Sequence, residues 1–261
     1  VKRTEKLTHR GPDSSGYDRP LANDNVFLGF TRLKINDTSA AGEQPMTRDY
    51  STVICNGEIY NHLILQKEFN VPSQSGSDCE VICNLSNKLD DPCKVASTLD
   101  GVFACVVWND KSNKGWAARD PLGVRAMYYS NENGVLAIAS EIKALYGYEN
   151  VQPFPPGHVG HITRIGNTFT ISFERYIELY GGNIREICES DALVETRNNF
   201  VNAVRKRMMS DRPIGCLLSG GLDSSLVASI LAKEMHPRKL QTFSIGMPGA
   251  TDLGFAQQVA D

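Results

Sequence analysis

Hydrophobic and polar positions follow one rhythm in the first two thirds of this chain and another in the last third. Up to about residue 178 the apolar stretches are short and strand-like. Residues 26–35 read as a strand, and residues 52–55 as a shorter one running into Asn56, Gly57 and Glu58. Residues 102–108 form a continuous apolar run, with residues 114–119 as its hairpin partner. Residues 127–130 pair with 135–139, and residues 158–164 with 168–173, each pair across a short polar turn. Helical spacing shows only at residues 62–69 and 78–89, and residues 9–16 read as turn chemistry. Antiparallel hairpins with a few helices predict a layered α+β domain over residues 1–178.

Beyond Tyr180, Gly181, Gly182 and Asn183, which read as linker (residues 179–190), the period lengthens. Residues 191–209 form an amphipathic helix with Leu193, Phe200, Val201, Val204 and Met208 on one face and Asp191 able to cap its start. A strand at 214–218, a turn at Ser219, Gly220 and Gly221, and a helix at 224–235 follow. Residues 240–245 give a second strand, and Asp252 opens another helix. This is a parallel α/β pattern over residues 191–261. Two strands cannot cover both helix faces, and a sheet has about five or six. The expectation is an incomplete α/β parallel-sheet domain, cut short within the chain.

Composition narrows the function classes. The 261 residues carry a net charge of −3 without a dominant basic run, which argues against nucleic-acid binding. No apolar run is long enough to span a bilayer, and the charged start at Val1, Lys2 and Arg3 lacks the apolar core of a signal peptide. Seven irregularly spaced cysteines without a C-x-x-C pair fit a reducing, cytoplasmic compartment better than a disulfide framework or zinc site.

Chemistry enters at Leu218, Ser219, Gly220, Gly221, Asp223, Ser224 and Ser225. A strand, a glycine turn and a helix start make an anion site, because unpaired N–H groups and the positive end of the helix dipole converge there. Paired glycines let the backbone approach a phosphate closely. Gly-Gly after a strand also serves as a plain turn, but the whole string is more specific, and it lacks the lysine of a Walker loop. S-G-G-x-D-S resembles the pyrophosphate loop of ATP pyrophosphatases.

The remaining motifs complete a resemblance. H-R-G-P-D-x-x-G at residues 9–16, F-x-R-L at 30–33, N-G-E-I-Y-N at 56–61 and S-D-x-E at 77–80 resemble the class II glutamine amidotransferase domain of the asparagine synthetase family. L-D-G-V-F-A at 99–104, R-D-P-L-G-V-R at 119–125, S-E-I-K-A-L at 140–145 and P-G-H at 156–158 follow in that family's order. R-P-I-G-C-L-L-S-G-G-L-D-S-S at 212–225 is similar to its synthetase domain. The resemblance implies an N-terminal nucleophile-type amidotransferase fold followed by a pyrophosphatase domain. The implied reaction makes asparagine from aspartate, ATP and glutamine by way of β-aspartyl-AMP.

By the same resemblance, Arg32 holds the glutamine carboxylate with its planar fork of donors. Asp78 and Glu58 hold the ammonium, and the backbone of Leu33, Lys34, Ile35 and Asn36 lies along the substrate. Asn56 and Gly57 supply N–H groups to the oxyanion, glycine suiting a backbone that approaches the reacting carbonyl. Leu218 and Ile245 flank the adenine or ribose of ATP. Ser219, Gly220, Gly221, Ser224 and Ser225 take the pyrophosphate. Asp223 positions Mg²⁺ or caps the helix; no metal ligand set is readable. A homodimer stays open. His9, Arg10, Asp13, Arg119, Asp120 and Arg125 read as turn-holding residues, and Cys55, Cys105 and Cys216 as core.

Two departures qualify the resemblance. The family nucleophile is an N-terminal cysteine whose α-amine acts as base, and residue 1 here is Val1. The expectation is a sequence that starts after the first strand, so that these residues alone do not hydrolyse glutamine. Ala126-Met127 replaces the family's Pro-Leu, which reads as packing. The alternatives are a glutamine- or ATP-binding remnant and a related amide- or lactam-forming ligase.

Overall fold

The computed structural model describes residues 1–20, 25–179 and 185–261, so the expected linker at Tyr180 to Asn183 lies outside the described residues. The chain divides into two compact units, Val1–Gly182 and Asn183–Asp261. No helix among the described residues is long and apolar enough to cross a membrane.

In chain order the first unit contains α1 (Lys2–Glu5), β1 (Ser14–Asp18), β2 (Leu28–Arg32), β3 (Met46–Arg48), β4 (Ser51–Ile59), α2 (His62–Glu68), α3 (Glu80–Lys88), α4 (Pro92–Thr98), β5 (Gly101–Asn109), β6 (Lys114–Arg119), β7 (Tyr128–Glu132), β8 (Val135–Ala139), β9 (Gln152–Pro153), β10 (His158–Ile165) and β11 (Thr168–Arg175). A six-stranded antiparallel sheet runs β11-β10-β6-β5-β4-β3, beside a three-stranded sheet β8-β7-β9 and the pair β1-β2. This is the layered α+β architecture that the hairpin pattern predicts.

Alternation along β4 and β5 builds two cores from the central sheet. Val53, Cys55, Ile59, Phe103, Cys105 and Val107 face a helical layer that supplies Leu65, Val81, Ile82, Leu85 and Val95. Ile54, Ala104, Val106 and Trp108 face the other way, against Met127, Phe154, Leu136 and Ile138. The turns obey local chemistry. Asn133 (φ 50°) and Gly134 (φ 77°) close the β7–β8 hairpin in the left-handed region that Asn-Gly favours.

Three differences from the sequence expectation concern this unit. β4 does not end before Asn56: it continues through Gly57 and Glu58, paired with Ala104, Phe103 and Val102 of β5. Ladder pairing outweighs the local turn preference of Asn-Gly. Ser14 to Gly16 belong to β1 rather than to a turn. Helix α4 was not anticipated, although its start signal is present: Asp91 Oδ1 accepts the Cys93 and Lys94 N–H groups at 2.9 and 3.2 Å, and Pro92 occupies the first turn.

The second unit contains α5 (Glu189–Lys206), β12 (Gly215–Leu217), α6 (Leu222–Met235), β13 (Gln241–Phe243) and α7 (Thr251–Ala260). β12 and β13 pair in parallel, as expected, with Cys216 opposite Thr242. Val204, Cys216, Leu218, Ala228, Leu231 and Ala256 form its core. Asp191 does not cap α5: the helix starts two residues earlier, with Cys188 at the cap position and no side-chain bond there. Val204 is buried, but Leu193 is 64% exposed and Phe200 38%, so only the C-terminal half of the expected apolar stripe is covered here.

Candidate active site

A cavity of about 740 Å³ lies in the first unit, and its polar wall gathers residues from four segments. Arg32 and Asn36 come from the end of β2 and the loop behind it, Gln44 from the loop before β3, Asn56 to Glu58 from β4, and Ser77 to Cys79 from the turn that leads into α3. Leu33 and Ile35 also line it, whereas Lys34 points aside: its Nζ pairs with Glu43 Oε1 at 2.6 Å.

The uncovered edge of β4 organises this wall. β3 pairs with β4 only as far as Val53. Further along, Cys55 donates its N–H to Gln44 Oε1 at 2.7 Å, and Ile59 donates to Asp78 Oδ2 at 2.6 Å. Alternation of the antiparallel ladder turns the Gly57 N–H to the same edge, midway between them. On its other flank Gly57 sits so close to β5 that a Cβ would lie 2.3 Å from the Val102 carbonyl oxygen and 2.6 Å from Phe103 Cα. Glycine is therefore required at this position by strand packing, a reason the sequence did not show.

Among the described residues, three buried donors on residues lining the cavity have no partner: Asn56 Nδ2, Arg125 Nε and Trp108 Nε1. A buried unpaired donor costs about 1–3 kcal/mol, so each needs a reason. Arg125 differs in this from the turn-holding residues around it. Asp120 does hold its turn, accepting N–H groups from Val124 at 2.9 Å and Arg125 at 3.0 Å. Arg119 donates to the Arg125, Gly123 and Phe154 carbonyls at 2.7, 2.7 and 2.8 Å. Arg125 itself is delivered by that turn to the cavity, with Glu58 4.0 Å from its guanidinium.

The charged residues are fixed by their neighbours. Arg32, 5% exposed, donates to the carbonyls of Asn36 at 3.0 Å and Asp37 at 2.6 Å and so shapes the loop behind β2. Asp37 Oδ2 accepts the Gly76 N–H at 2.8 Å, tying that loop to the one before α3. Asp78 is 4% exposed. Burial pushes its carboxyl above the usual range despite bonds from the Ile59 N–H and the Asn36 amide. Such a carboxylate favours a cation beside it.

Glu80, fully buried, was seen in the sequence only as part of a motif. Burial alone would raise its carboxyl, but Arg48 at 2.7 Å, the Gln74 and Ser75 N–H groups and the Ser73 and Ser75 hydroxyls bring it down to about 2. It holds the loop that presents Asp78. The sequence does not single out Gln44 and reads Arg125 only as a turn-holding residue, because their places at the wall depend on long-range contacts.

The thiols at the wall are not activated. Cys79 is pushed well above the ordinary range by its bond to Cys55 and by burial. That bond pulls Cys55 the other way, yet burial and the neighbouring thiol of Cys105 leave it raised too. A nucleophilic cysteine needs a lowered pKa.

The glycine turn of the second unit is built differently. Gly220 has φ +79°, and a Cβ on it would lie 2.5 Å from the Ala256 N, so this residue seats α7 as well as turning the chain. The Ser219 N–H donates to Ser224 Oγ at 3.3 Å, and the two hydroxyls lie 2.9 Å apart. Ser225 Oγ donates to the Gly221 carbonyl at 2.7 Å. Leu218 is buried, its N–H bonded to the Phe243 carbonyl at 2.8 Å, whereas Ile245 is 98% exposed. Asp223 is not a helix cap: α6 begins at Leu222, with Gly221 at the cap position, which leaves Asp223 exposed in the first turn.

Comparison with known proteins adds three findings. A family model described as glutamine amidotransferase domain matches residues 1–159, and one described as asparagine synthase matches residues 195–261. The probable asparagine synthetase (glutamine-hydrolyzing) of Acanthamoeba polyphaga mimivirus is 39% identical over 98% of this chain and 50% of its own length. The asparagine synthetases (glutamine-hydrolyzing) of Rattus norvegicus and Homo sapiens are each 37% identical over the same shares. The chain thus spans about half the length of the curated relatives it matches. The glutamine phosphoribosylpyrophosphate amidotransferase of B. subtilis superimposes with a TM-score of 0.56 at 18% identity, over 93% of this chain and 61% of that one, a likeness of fold.

Proposed function

The chain belongs to the glutamine amidotransferase domain family, and we propose that it is the glutamine-binding half, with the start of the synthetase half, of an enzyme that makes asparagine from aspartate, ATP and glutamine. The observation that carries this reading is Asn56 Nδ2, buried and unpartnered on a cavity wall beside an outward-facing Gly57 N–H. Together they are donors for the oxyanion that forms when a glutamine amide is attacked. Arg32 takes the α-carboxylate, sharing its fork with the loop carbonyls. Asp78 takes the α-ammonium, with Glu58 adding negative charge. Leu33, Ile35 and Asn36 lie along the substrate, and Lys34 contributes its backbone only.

Hydrolysis also needs a nucleophile that the cavity-lining thiols do not provide, since both are held protonated. The resemblance assigns it to an N-terminal cysteine.

In the second unit the Ser219–Ser225 turn suits a pyrophosphate: Gly220 leaves no room for a Cβ, and α6 directs its N-terminus there. The serine hydroxyls that engage these amides in the free loop turn to the phosphate oxygens when ATP binds, with Leu218 and Ile245 beside the nucleoside. The aspartate β-carboxylate attacks the α-phosphorus and pyrophosphate leaves. Ammonia then attacks the acyl carbon of β-aspartyl-AMP, and AMP leaves. Asp223 offers one carboxylate oxygen, and Mg²⁺ is commonly held by one or two carboxylates plus substrate phosphates. Magnesium supplies charge neutralisation of the leaving pyrophosphate. The chain's seven free cysteines fit a cytoplasmic setting.

Calorimetry with L-glutamine tests the first half of the reading. Binding is expected for the chain, and more than about tenfold weaker binding for Asp78→Asn, which removes a charge-assisted contact. Binding unchanged in Asp78→Asn sinks the pocket assignment. For the enzyme that contains this chain, aspartate-dependent pyrophosphate release from ATP is expected with either glutamine or ammonia; release with neither rules out the synthetase reading.

A further inference from the structure

The edge of the six-stranded sheet carries a side-chain cluster that the glutamine and nucleotide readings leave unused. Cys93 lies in the first turn of α4, His161 on β10 and Glu174 on β11. One ligand atom from each lies within 4.8 Å of the other two. None of the three lines the cavity described above.

The cluster is held by rigid elements. Asp91 and Pro92 fix the first turn of α4, and with it Cys93. His161 sits inside a strand paired on both flanks, opposite Ser172 of β11 and Trp116 of β6. Val159 is fully buried in the helix-facing core and pairs with Glu174. Opposed residues of an antiparallel pair share a face, and so do residues two apart on one strand. His161 and Glu174 therefore both turn to the helical side. His161 Nε2 lies 2.9 Å from Glu174 Oε2.

We propose that Cys93, His161 and Glu174 bind a zinc-type divalent cation, with water as fourth ligand. Thiolate, imidazole and carboxylate are zinc's usual donors, whereas magnesium and calcium take oxygen alone. Tetrahedral zinc with bonds of about 2.0–2.3 Å sets neighbouring ligand atoms roughly 3.3–3.8 Å apart. Small side-chain rotations bring the three donors there, the ion entering between His161 and Glu174. Burial and the Glu174 carboxylate hold the Cys93 thiol at about 11, so the free cluster carries an S–H. Binding breaks that S–H bond, forms a metal–sulfur bond and releases one proton to solvent. The ion ties α4 to β11, an edge strand of the sheet, and so braces it.

Cobalt(II) titration of the full chain tests this. One equivalent is expected to produce a thiolate-to-cobalt absorption band with tetrahedral d–d bands, displaced by Zn²⁺. Cys93→Ser is expected to abolish the charge-transfer band, and His161→Gln to weaken binding more than about tenfold. Cys188→Ser, which removes an exposed thiol, is expected to leave the band unchanged. Zn²⁺ should raise the melting temperature of the native chain but not of Cys93→Ser. Metal-free circular dichroism checks that each variant folds. Glu174→Gln, at an exposed position, serves as the second arm if Cys93→Ser does not fold, and should also weaken binding. A band that persists in Cys93→Ser, that vanishes in Cys188→Ser, or that never forms at millimolar cobalt overturns the proposal.

Discussion

The two candidate sites hold their polar groups in opposite ways. The wall around Asn56 is buried and unsatisfied: Asn56 Nδ2 and Arg125 Nε have no partner, and Asp78 is a carboxylate held against its preference for water. The turn at Ser219–Ser225 is largely exposed, and its serine hydroxyls are engaged within it, those of Ser219 and Ser224 2.9 Å apart and that of Ser225 donating to the Gly221 carbonyl. A site that stabilises one developing oxyanion gains from donors fixed in advance, because no reorganisation is needed during reaction. A site that binds a highly charged, solvated triphosphate can let the ligand displace weak internal bonds. The first arrangement lowers the stability of the free protein, and the second does not.

The comparison breaks most clearly at Asn56. In the complete enzyme, Asn56→Ala is expected to lower kcat for glutamine hydrolysis by about 10²–10³-fold with little change in KM, the signature of an oxyanion donor. Ammonia-dependent synthesis should continue. The melting temperature should not fall, because the free protein loses no hydrogen bond at Asn56 Nδ2. A large rise in KM at constant kcat would make Asn56 a ground-state contact instead.

The support beneath that wall should titrate. Glu80 ionises at about 2 in the folded unit against 4.5 unfolded. Between those values the unfolded chain binds more protons, so this stabilisation is fully present above pH 4.5 and disappears as pH falls towards 2. The shift corresponds to about 3 kcal/mol. Asp78, raised above 3.8, acts with the opposite sign: its penalty is absent in acid and develops as pH rises. Urea unfolding followed from pH 5 to pH 2 should show the loss, and Glu80→Gln should make that pH dependence shallower, Glu141, Glu43 and Asp37 keeping their own share, while destabilising the unit at pH 7. An unchanged slope in Glu80→Gln would exclude the buried cluster as its source.

How far these features were legible depends on the range of the interactions behind them. The hairpins β5–β6, β7–β8 and β10–β11 and the helix α6 follow from local periodicity and turn residues, and the sequence shows them. Asn-Gly is by local preference a turn pair, and only pairing with Ala104 and Phe103 makes Asn56 and Gly57 strand. Gln44 and Arg125 reach the cavity wall through contacts that no spacing encodes. Leu193 and Phe200 have the right helical period, yet period does not say what covers a face. The motifs located most candidate residues because family resemblance carries long-range information that composition and spacing lack.

Glycine sharpens the second side of the comparison. Gly220→Ala combines a left-handed φ with a Cβ 2.5 Å from the Ala256 N, and should destabilise the second unit by about 1–3 kcal/mol. Gly249 has φ +83° but open space around it. Gly249→Ala should then show only the backbone penalty of about 1–2 kcal/mol. Equal losses in thermal or urea melts would mean that the seat of α7 against Gly220 contributes nothing.

The smallest expected effect on the fold comes from Ile245, which is 98% exposed. Ile245→Ala should change stability by less than about 0.5 kcal/mol. An apolar side chain standing in water beside a glycine turn gains burial only when something covers it, so its contribution belongs to the complex. If adenine or ribose lies against it, nucleotide affinity should fall several-fold, about 1 kcal/mol for a few apolar carbons. Fluorescent-nucleotide titration of the complete enzyme reads this directly. Affinity unchanged in Ile245→Ala would move the nucleoside away from β13 while leaving the pyrophosphate turn intact. Ile245 and Asn56 would then part company: one an idle surface residue, the other a group whose removal leaves the fold alone and disables the reaction.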